Sequence, residues 1–295
     1  MLSVIIPSYN SENTIEKCLN SLKSQSFSGE YEIIIVDSSA DRTPHIVGNR
    51  YPDVQMIHLD NKTDPGTARN IGIKRARGEV IAFIDSDCIA SKNWLERIWS
   101  FHHSSYHVVG GSVCNGNDAD NLVAWAGYIA EFREFIPERP KREVPHIPTC
   151  NISYKKDIFS EYGYFRGEYY PQEDMVYNHH LTSHGVKILF EPGIRVYHHH
   201  RTRLKDFLAH QRRIGAVTSK VLRKVPLEGS FIVKYPLFSA LIIPFLPGIK
   251  FLRTVFAFLK YQPMTIIKHP GALGVFAAGL VFWVIGFVQG MHKSH

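Results

Sequence analysis

The 295-residue sequence predicts an α/β fold, a mostly parallel central sheet followed by a membrane-associated C-terminal region. Three observations predict it. Short β-branched runs alternate with helical patterns over the first hundred residues. Two of those runs close on aspartates, and residues 271–291 form an almost unbroken apolar stretch.

The first run, LSVII, is followed by SENTIEKCLNSLKSQ, where Ile15, Leu19 and Leu22 recur at helical spacing behind a Ser11 cap. YEIIIV and VQMIHL read as the second and third strands. GTARNIGIKRARG is helical and stops at Gly78, and VIAFI is the fourth strand. Strands of buried type alternating with helices mean a mostly parallel sheet covered on both faces. Beyond residue 105 the pattern loosens. HVVGGSV reads as another strand and NLVAWAGYIAEFREF as an amphipathic, aromatic-rich helix, before a proline-rich loop, IPERPKREVPHIP.

Residues 201–224 carry eight Lys or Arg against one Asp, with Leu204, Phe207, Leu208, Ile214, Val221 and Leu222 roughly on one face. An apolar tail follows, which favours a helix lying on an anionic membrane surface. GALGVFAAGLVFWVIGFVQGM, 271–291, has Gln289 as its one polar side chain, and as a helix it spans about 31 Å, enough for a hydrocarbon core. It reads as a transmembrane helix. The stretch 231–262 is apolar too, but Pro236, Pro244 and Pro247 interrupt it. If it also crossed, Lys250, Arg253, Lys260 and Lys268 would lie on the far side, against the positive-inside rule, so a re-entrant or interfacial seating stays open. The expected division is therefore 1–225 for catalysis and 226–295 for the membrane.

The composition, 44% hydrophobic and 21% charged, excludes a disordered chain. The net charge of +7 suits nucleic acid, or lipid and phosphate. Its clustering beside the apolar segments favours lipid and phosphate. Four scattered cysteines without a C-x-x-C pair argue against a zinc knuckle or disulfide framework and fit a reducing compartment. MLSVIIPSYN lacks the basic leader and long apolar run of a signal peptide.

Asp37 closes the second strand, and Asp85-Ser86-Asp87 follows the fourth. In an open α/β sheet both would face the crevice beyond the carboxyl strand ends, where ligands bind. The second D-x-D, Asp118-Ala119-Asp120, sits in a polar loop with no strand before it and reads as a solvated turn. Two neighbouring carboxylates at a strand end make sense when Mg²⁺ or Mn²⁺ joins them, because these cations take oxygen ligands and share them with phosphates. A nucleotide diphosphate is then the natural guest, with Asp37 placed for ribose or base.

VIIPSYN, IIIVDSSAD, GTARNIGI, FIDSDC, PTCNISYKKDIF and YYPQEDMVYNHHLTSHGVKILF occur in order over roughly residues 1–215. Together they resemble the successive motifs of glycosyltransferase family 2, of the GT-A fold. The resemblance implies that Pro7, Ser8 and Tyr9 line a nucleotide pocket, Tyr9 stacking on the base. It implies that Asp37 binds base or ribose and that Arg69 contacts the nucleotide. Asp85 would sit near ribose and metal, Asp87 on the metal, and His198 would be a further metal candidate beside His199 and His200. Asp174 would be the general base, with Thr149, Asn151 and Glu173 on the acceptor side.

The implied activity is inverting, metal-dependent transfer of a sugar from a nucleotide-diphosphate donor to a lipid-linked or membrane-proximal acceptor. The partners are membrane lipids and no nucleic acid, and the catalytic face is cytoplasmic. Processive members resemble a Q-x-x-R-W signature; here Gln211-Arg212-Arg213-Ile214-Gly215 lacks the tryptophan, which favours transfer of single sugars. Two rivals remain. A sugar-phosphate nucleotidyltransferase would resemble a glycine-rich first loop, and PSYNSEN has no glycine. A catalytically dead, membrane-anchored scaffold would usually have lost Asp85, Asp87 or Asp174.

Overall fold

The computed structural model describes residues 1–235, 239 and 241–292; of the prolines noted above, Pro236 lies outside them. The chain runs through β1 (Leu2–Ser8), α1 (Ile15–Lys23), β2 (Tyr31–Asp37), α2 (Thr43–Arg50), β3 (Gln55–His58), α3 (Pro65–Arg75) and β4 (Val80–Phe83). It continues through β5 (Cys88–Ala90), α4 (Trp94–His102), β6 (Val108–Asn115), α5 (Leu122–Glu131), β7 (Arg142–Glu143), β8 (Ile152–Lys155) and α6 (Asp157–Tyr162). Then come α7 (Glu173–Ser183), β9 (Ile188–His198), α8 (Leu204–Lys224), α9 (Ser230–Lys234), α10 (Leu246–Tyr261), α11 (Pro263–Lys268) and α12 (Pro270–His292). Two compact units result: Met1–Gly116 with Arg139–His199, and Asn117–Glu138 with His200–His295.

The first unit is an α/β domain around one sheet, ordered β3-β2-β1-β4-β8-β6-β9-β5, with β7 on β9. The sheet is mixed, not mostly parallel. Parallel pairing joins β1 to β2, β1 to β4, β2 to β3 and β6 to β9. Pairing is antiparallel for β4–β8, β6–β8, β5–β9 and β7–β9. The reason is connectivity. Helical crossovers return the chain to the same end of β1 to β4, whereas β8 enters from a loop and runs back between β4 and β6. Val4, Ile5 and Ile6 of β1, Ile34 and Ile35 of β2 and Ile81, Ala82 and Phe83 of β4 are wholly buried, which explains their uninterrupted apolar runs.

Local details differ from the pattern reading. α1 starts at Ile15 behind Thr14 rather than at Ser11. Ser11 accepts the Thr14 and Ile15 amides through its carbonyl, and its hydroxyl lies 2.7 Å from the Ser86 hydroxyl. α3 is capped instead by Asp64, whose carboxylate accepts from the Thr67 amide, and it ends at Arg75.

The second unit is helical. Within it α8 packs along α12 so closely that a Cβ on Gly215 would lie 1.9 Å from the Trp283 carbonyl oxygen, and one on Gly286 1.9 Å from that of Arg212. Glycine is required at both because backbone meets backbone. This packing places α8 with the tail, so the compact units do not divide at 225/226. α12 is long and apolar enough to cross a membrane, with mean hydropathy 2.2. The same unit exposes Leu241, Phe245, Leu252, Phe256 and Ile267 to solvent, and no Asp or Glu occurs from 229 to 295.

Candidate active site

Register aligns the strand ends. Ser8 pairs with Asp37 and Asp37 with His58, while Ile5 pairs with Phe83, so the loops after β1 to β4 emerge from one edge. Hydrogen bonds stitch these loops together. The Asn10 amide donates to Ser39 Oγ at 2.7 Å, and the Ala40 amide donates to Asn10 Oδ1 at 3.0 Å. Asn10 adopts φ +52°, a left-handed conformation that asparagine tolerates, and that turn brings its side chain to Ala40.

Asp37 is fully buried. Its oxygens accept from Ser39 Oγ at 2.6 Å and from the Ser39 amide at 3.1 Å, and one lies 2.8 Å from His58 Nδ1. Tyr9 is exposed, with Lys62 Nζ 4.1 Å from its ring centroid, a cation–π contact on the face a base would need. Ser8 is buried at the end of β1, and Pro7 is buried within the strand rather than lining open space. His58 and Lys62 escaped the motif reading. The signal was available for His58, which ends its strand as Asp37 does.

Arg69 is 3% exposed and spans two carboxylates: Nη1 donates to Glu173 at 2.8 Å and Nη2 to Asp85 at 2.7 Å. Burial opposes its charge, but the field of Asp85, Glu173 and Asp174 raises its pKa above the ordinary arginine value. Burial pushes the Glu173 carboxyl up to about 7, with Arg69 pulling it down and Asp174 adding to the rise. Both terminal nitrogens of Arg69 are therefore engaged by protein, and the residue fixes Asp85 relative to α7.

Glu173 and Asp174 open α7. Asp174 is half-buried; Oδ2 accepts from the Thr149 amide at 3.1 Å and Oδ1 from the Met175 amide at 2.7 Å. A carboxylate has about four acceptor positions, so both oxygens keep capacity. Thr149 thus orients Asp174. Asn151 does not fit the acceptor side. It is fully buried, its amide nitrogen donates to the Ser112 and Ile194 carbonyls at 2.8 and 2.9 Å, and its oxygen accepts from Trp94 Nε1 at 2.8 Å. Its work is to join β6, β9 and α4.

At the other end of the loop, β5 pairs antiparallel with β9, Cys88 opposite His198. This sets the histidine register. His198 Nε2 lies 3.6 Å from Asp87 Oδ1, the His199 amide donates to the Asp87 carbonyl, and His200 belongs to the second unit. Ligand atoms of Asp87, Cys88 and His198 all lie within 4.8 Å of one another. Burial raises the Cys88 thiol well above its ordinary pKa, so it is a poor anionic ligand, and the usable donors are carboxylate oxygen and imidazole nitrogen. That donor pair can serve a divalent cation, and two donors on one such cation at right angles lie ~3 Å apart, close to the separation found. The residues fit a divalent cation.

The family model for Glycosyl transferase family 2 matches residues 3–163. The chain belongs to glycosyltransferase family 2. The transferase is 28% identical over 225 residues to glycosyltransferase AglE of Haloferax volcanii, covering 72% of this chain and 71% of that one. It is 38% identical over 145 residues to the Staphylococcus aureus poly(ribitol-phosphate) β-N-acetylglucosaminyltransferase TarS, covering 46% of this chain and 24% of TarS. With the pre-mycofactocin glycosyltransferase of Mycobacterium tuberculosis the identity is 24%, over 76% of this chain and 48% of that one. Among solved structures, TarS 1–349 with UDP-GlcNAc superposes with TM-score 0.56 at 19% identity, covering 98% of this chain and 90% of that one. Its complex with UDP gives TM-score 0.52, covering 100% and 92%. The first unit of the transferase accordingly has a GT-A-like α/β fold with a mixed sheet.

Proposed function

We propose that the transferase moves a single sugar, with inversion, from a nucleotide-diphosphate donor to an acceptor at a membrane surface. The observation that carries this is the convergence at one sheet edge of Asp37, Asp85, Asp87 with His198, and Asp174. In this reading Tyr9 and Asp37 hold the nucleoside, with Lys62 moving off the Tyr9 face or onto phosphate. Asp87, His198 and Asp85 hold the divalent cation, which supplies charge compensation to the diphosphate. Asp174 accepts the proton of an acceptor hydroxyl as the new bond to the anomeric carbon forms and the bond to the diphosphate oxygen breaks. Thr149 keeps that carboxylate aimed. Arg69 and Glu173 act behind it as positioning residues. An acceptor that is already a phosphate anion, such as a polyprenyl phosphate, would need no base.

The second unit is read as the membrane attachment, with the catalytic unit on the cytoplasmic side, where nucleotide sugars reside. Length and hydropathy of α12 support a helix crossing the bilayer. The packing of α8 supports a second seating, in the plane of the interface: the Arg212 backbone abuts Gly286, past the middle of α12, and its side chain donates to Gln289 at 2.8 Å. In a crossing arrangement that arginine, bonded about 12 Å beyond the midpoint of α12, would lie toward the edge of the hydrocarbon core, at a cost below the figure of about 2.5–3.5 kcal/mol for a central arginine.

A screen of nucleotide sugars against purified full-length protein, with and without Mn²⁺, tests the catalytic reading. Donor binding should be metal-responsive in the wild type and metal-indifferent and much weaker in Asp87→Ala. Wild-type, metal-responsive binding by that variant refutes the ligand assignment. Metal-responsive donor binding without transfer or hydrolysis of any donor favours the inactive, nucleotide-sugar-binding scaffold.

A further inference from the structure

We infer that the second unit carries a binding site for a phosphate-bearing lipid, in the groove between α8 and α12. The groove has a volume of about 730 Å³ and an apolar floor that includes Leu204, Leu208, Ala216 and Phe282. Its polar lining is Lys205, Arg212, Arg213 and Gln289. On α8 the positions 205, 209, 212, 213 and 216 follow the 3.6-residue repeat, so cations and small apolar side chains share one stripe. On α12, Phe282 and Gln289 are two turns apart and face the same channel.

Two features select the occupant. The first is charge: three cations line the groove, no acid does, and neither 207–227 nor 229–295 contains an Asp or Glu. Lys205 and Arg213 are exposed, and the Arg212 guanidinium is tethered by Gln289. Two arginines and a lysine lining one groove are a phosphate site in chemistry, since arginine meets phosphate through paired N–H donors. The second is the floor. A free phosphate makes no use of an apolar trough formed by leucine, alanine and phenylalanine side chains, whereas a hydrocarbon chain buries against it at about 25 cal/mol per Å². Anionic head and apolar chain are therefore required in one molecule. The groove also lies in a unit that exposes Leu252, Phe256 and Ile267, an apolar surface suited to the environment in which such a lipid is found.

This inference rests on the second unit alone and on no catalytic residue, so it stands or falls separately from the reaction. Full-length protein in non-ionic detergent is titrated calorimetrically with farnesyl phosphate, with farnesol and with inorganic phosphate. Farnesyl phosphate should bind at least tenfold more tightly than farnesol, and millimolar inorganic phosphate should not displace it. Arg212→Gln/Arg213→Gln should weaken farnesyl phosphate at least tenfold, while Lys220→Gln/Lys224→Gln, with the same loss of charge elsewhere on α8, should change it less than threefold. Ala216→Trp, which fills the floor, should weaken both farnesyl ligands. Unaltered circular dichroism and an unaltered melting temperature serve as the folding controls. Equal affinity for farnesol, displacement by inorganic phosphate, or equal losses in the two double variants would each overturn the site.

Discussion

Replacing Arg69 by methionine keeps an unbranched apolar stem and removes the guanidinium with its charge. In the wild type this guanidinium is 3% exposed and holds Glu173, 4% exposed, at 2.8 Å and Asp85, 30% exposed, at 2.7 Å. The Asp85 contact is partly screened by solvent and contributes little that can be counted. The Glu173 contact is buried, and removing one partner of such a pair leaves an uncompensated charge, at a cost of about 3–5 kcal/mol. The cost depends on pH. Burial already raises the Glu173 pKa from 4.5 to about 7, and losing Arg69 raises it further. For an acid with a raised folded pKa, the native state holds the proton more tightly than the unfolded chain does. Its contribution is full below the unfolded value and is lost as pH climbs through the folded one. Arg69→Met should therefore unfold with a deficit of about 3–5 kcal/mol at pH 8 and a clearly smaller one at pH 5. Denaturant titrations of the full-length protein in detergent, followed by circular dichroism, measure both. Adding Glu173→Leu should restore most of the loss, because the orphaned carboxylate is gone. A deficit under about 1 kcal/mol at pH 8, or one independent of pH, would refute the buried-pair argument and return Arg69 to a direct role on the nucleotide.

Asp174→Asn should bind metal and donor normally yet lose turnover with a hydroxyl acceptor by about 100-fold or more, measured by released nucleotide diphosphate. Near-normal turnover would remove Asp174 as the base, and activity surviving only with a polyprenyl phosphate would identify an anionic acceptor. Gly215→Val should part α8 from α12, since even a Cβ there meets the Trp283 carbonyl at 1.9 Å; a shift of several degrees in melting temperature, with donor affinity kept, is the expected result. In sealed vesicles with the catalytic unit outside, a tag following His295 should be cut by added protease if α12 lies in the interface. Protection of that tag would establish the crossing.

The parallel half of the sheet was legible because β1, β2 and β4 are buried on both faces, with β3 at the edge only partly so. That environment writes itself as an unbroken apolar run, and crossover helices separate the runs by regular intervals. Asp37, Asp85 and Asp87 were legible for a related reason: a carboxylate directly after such a run has nowhere to go except the sheet's ligand-binding edge. The second half was not. β5 and β7 have three and two residues, too few for periodicity, and β8 pairs with β4 and β6 through contacts 69–75 and 42–46 residues distant that no local pattern encodes. Register alone made His198, rather than its two neighbours, the partner of Asp87. Burial alone turned Asn151 from an acceptor-side candidate into an internal strut and tied Arg69 to two carboxylates. The apolar stretch at 271–291 announced a helix of membrane-spanning length, but composition is blind to neighbours. Only packing revealed that the basic helix α8 lies along it, glycine against backbone, and so set charge and apolar surface side by side.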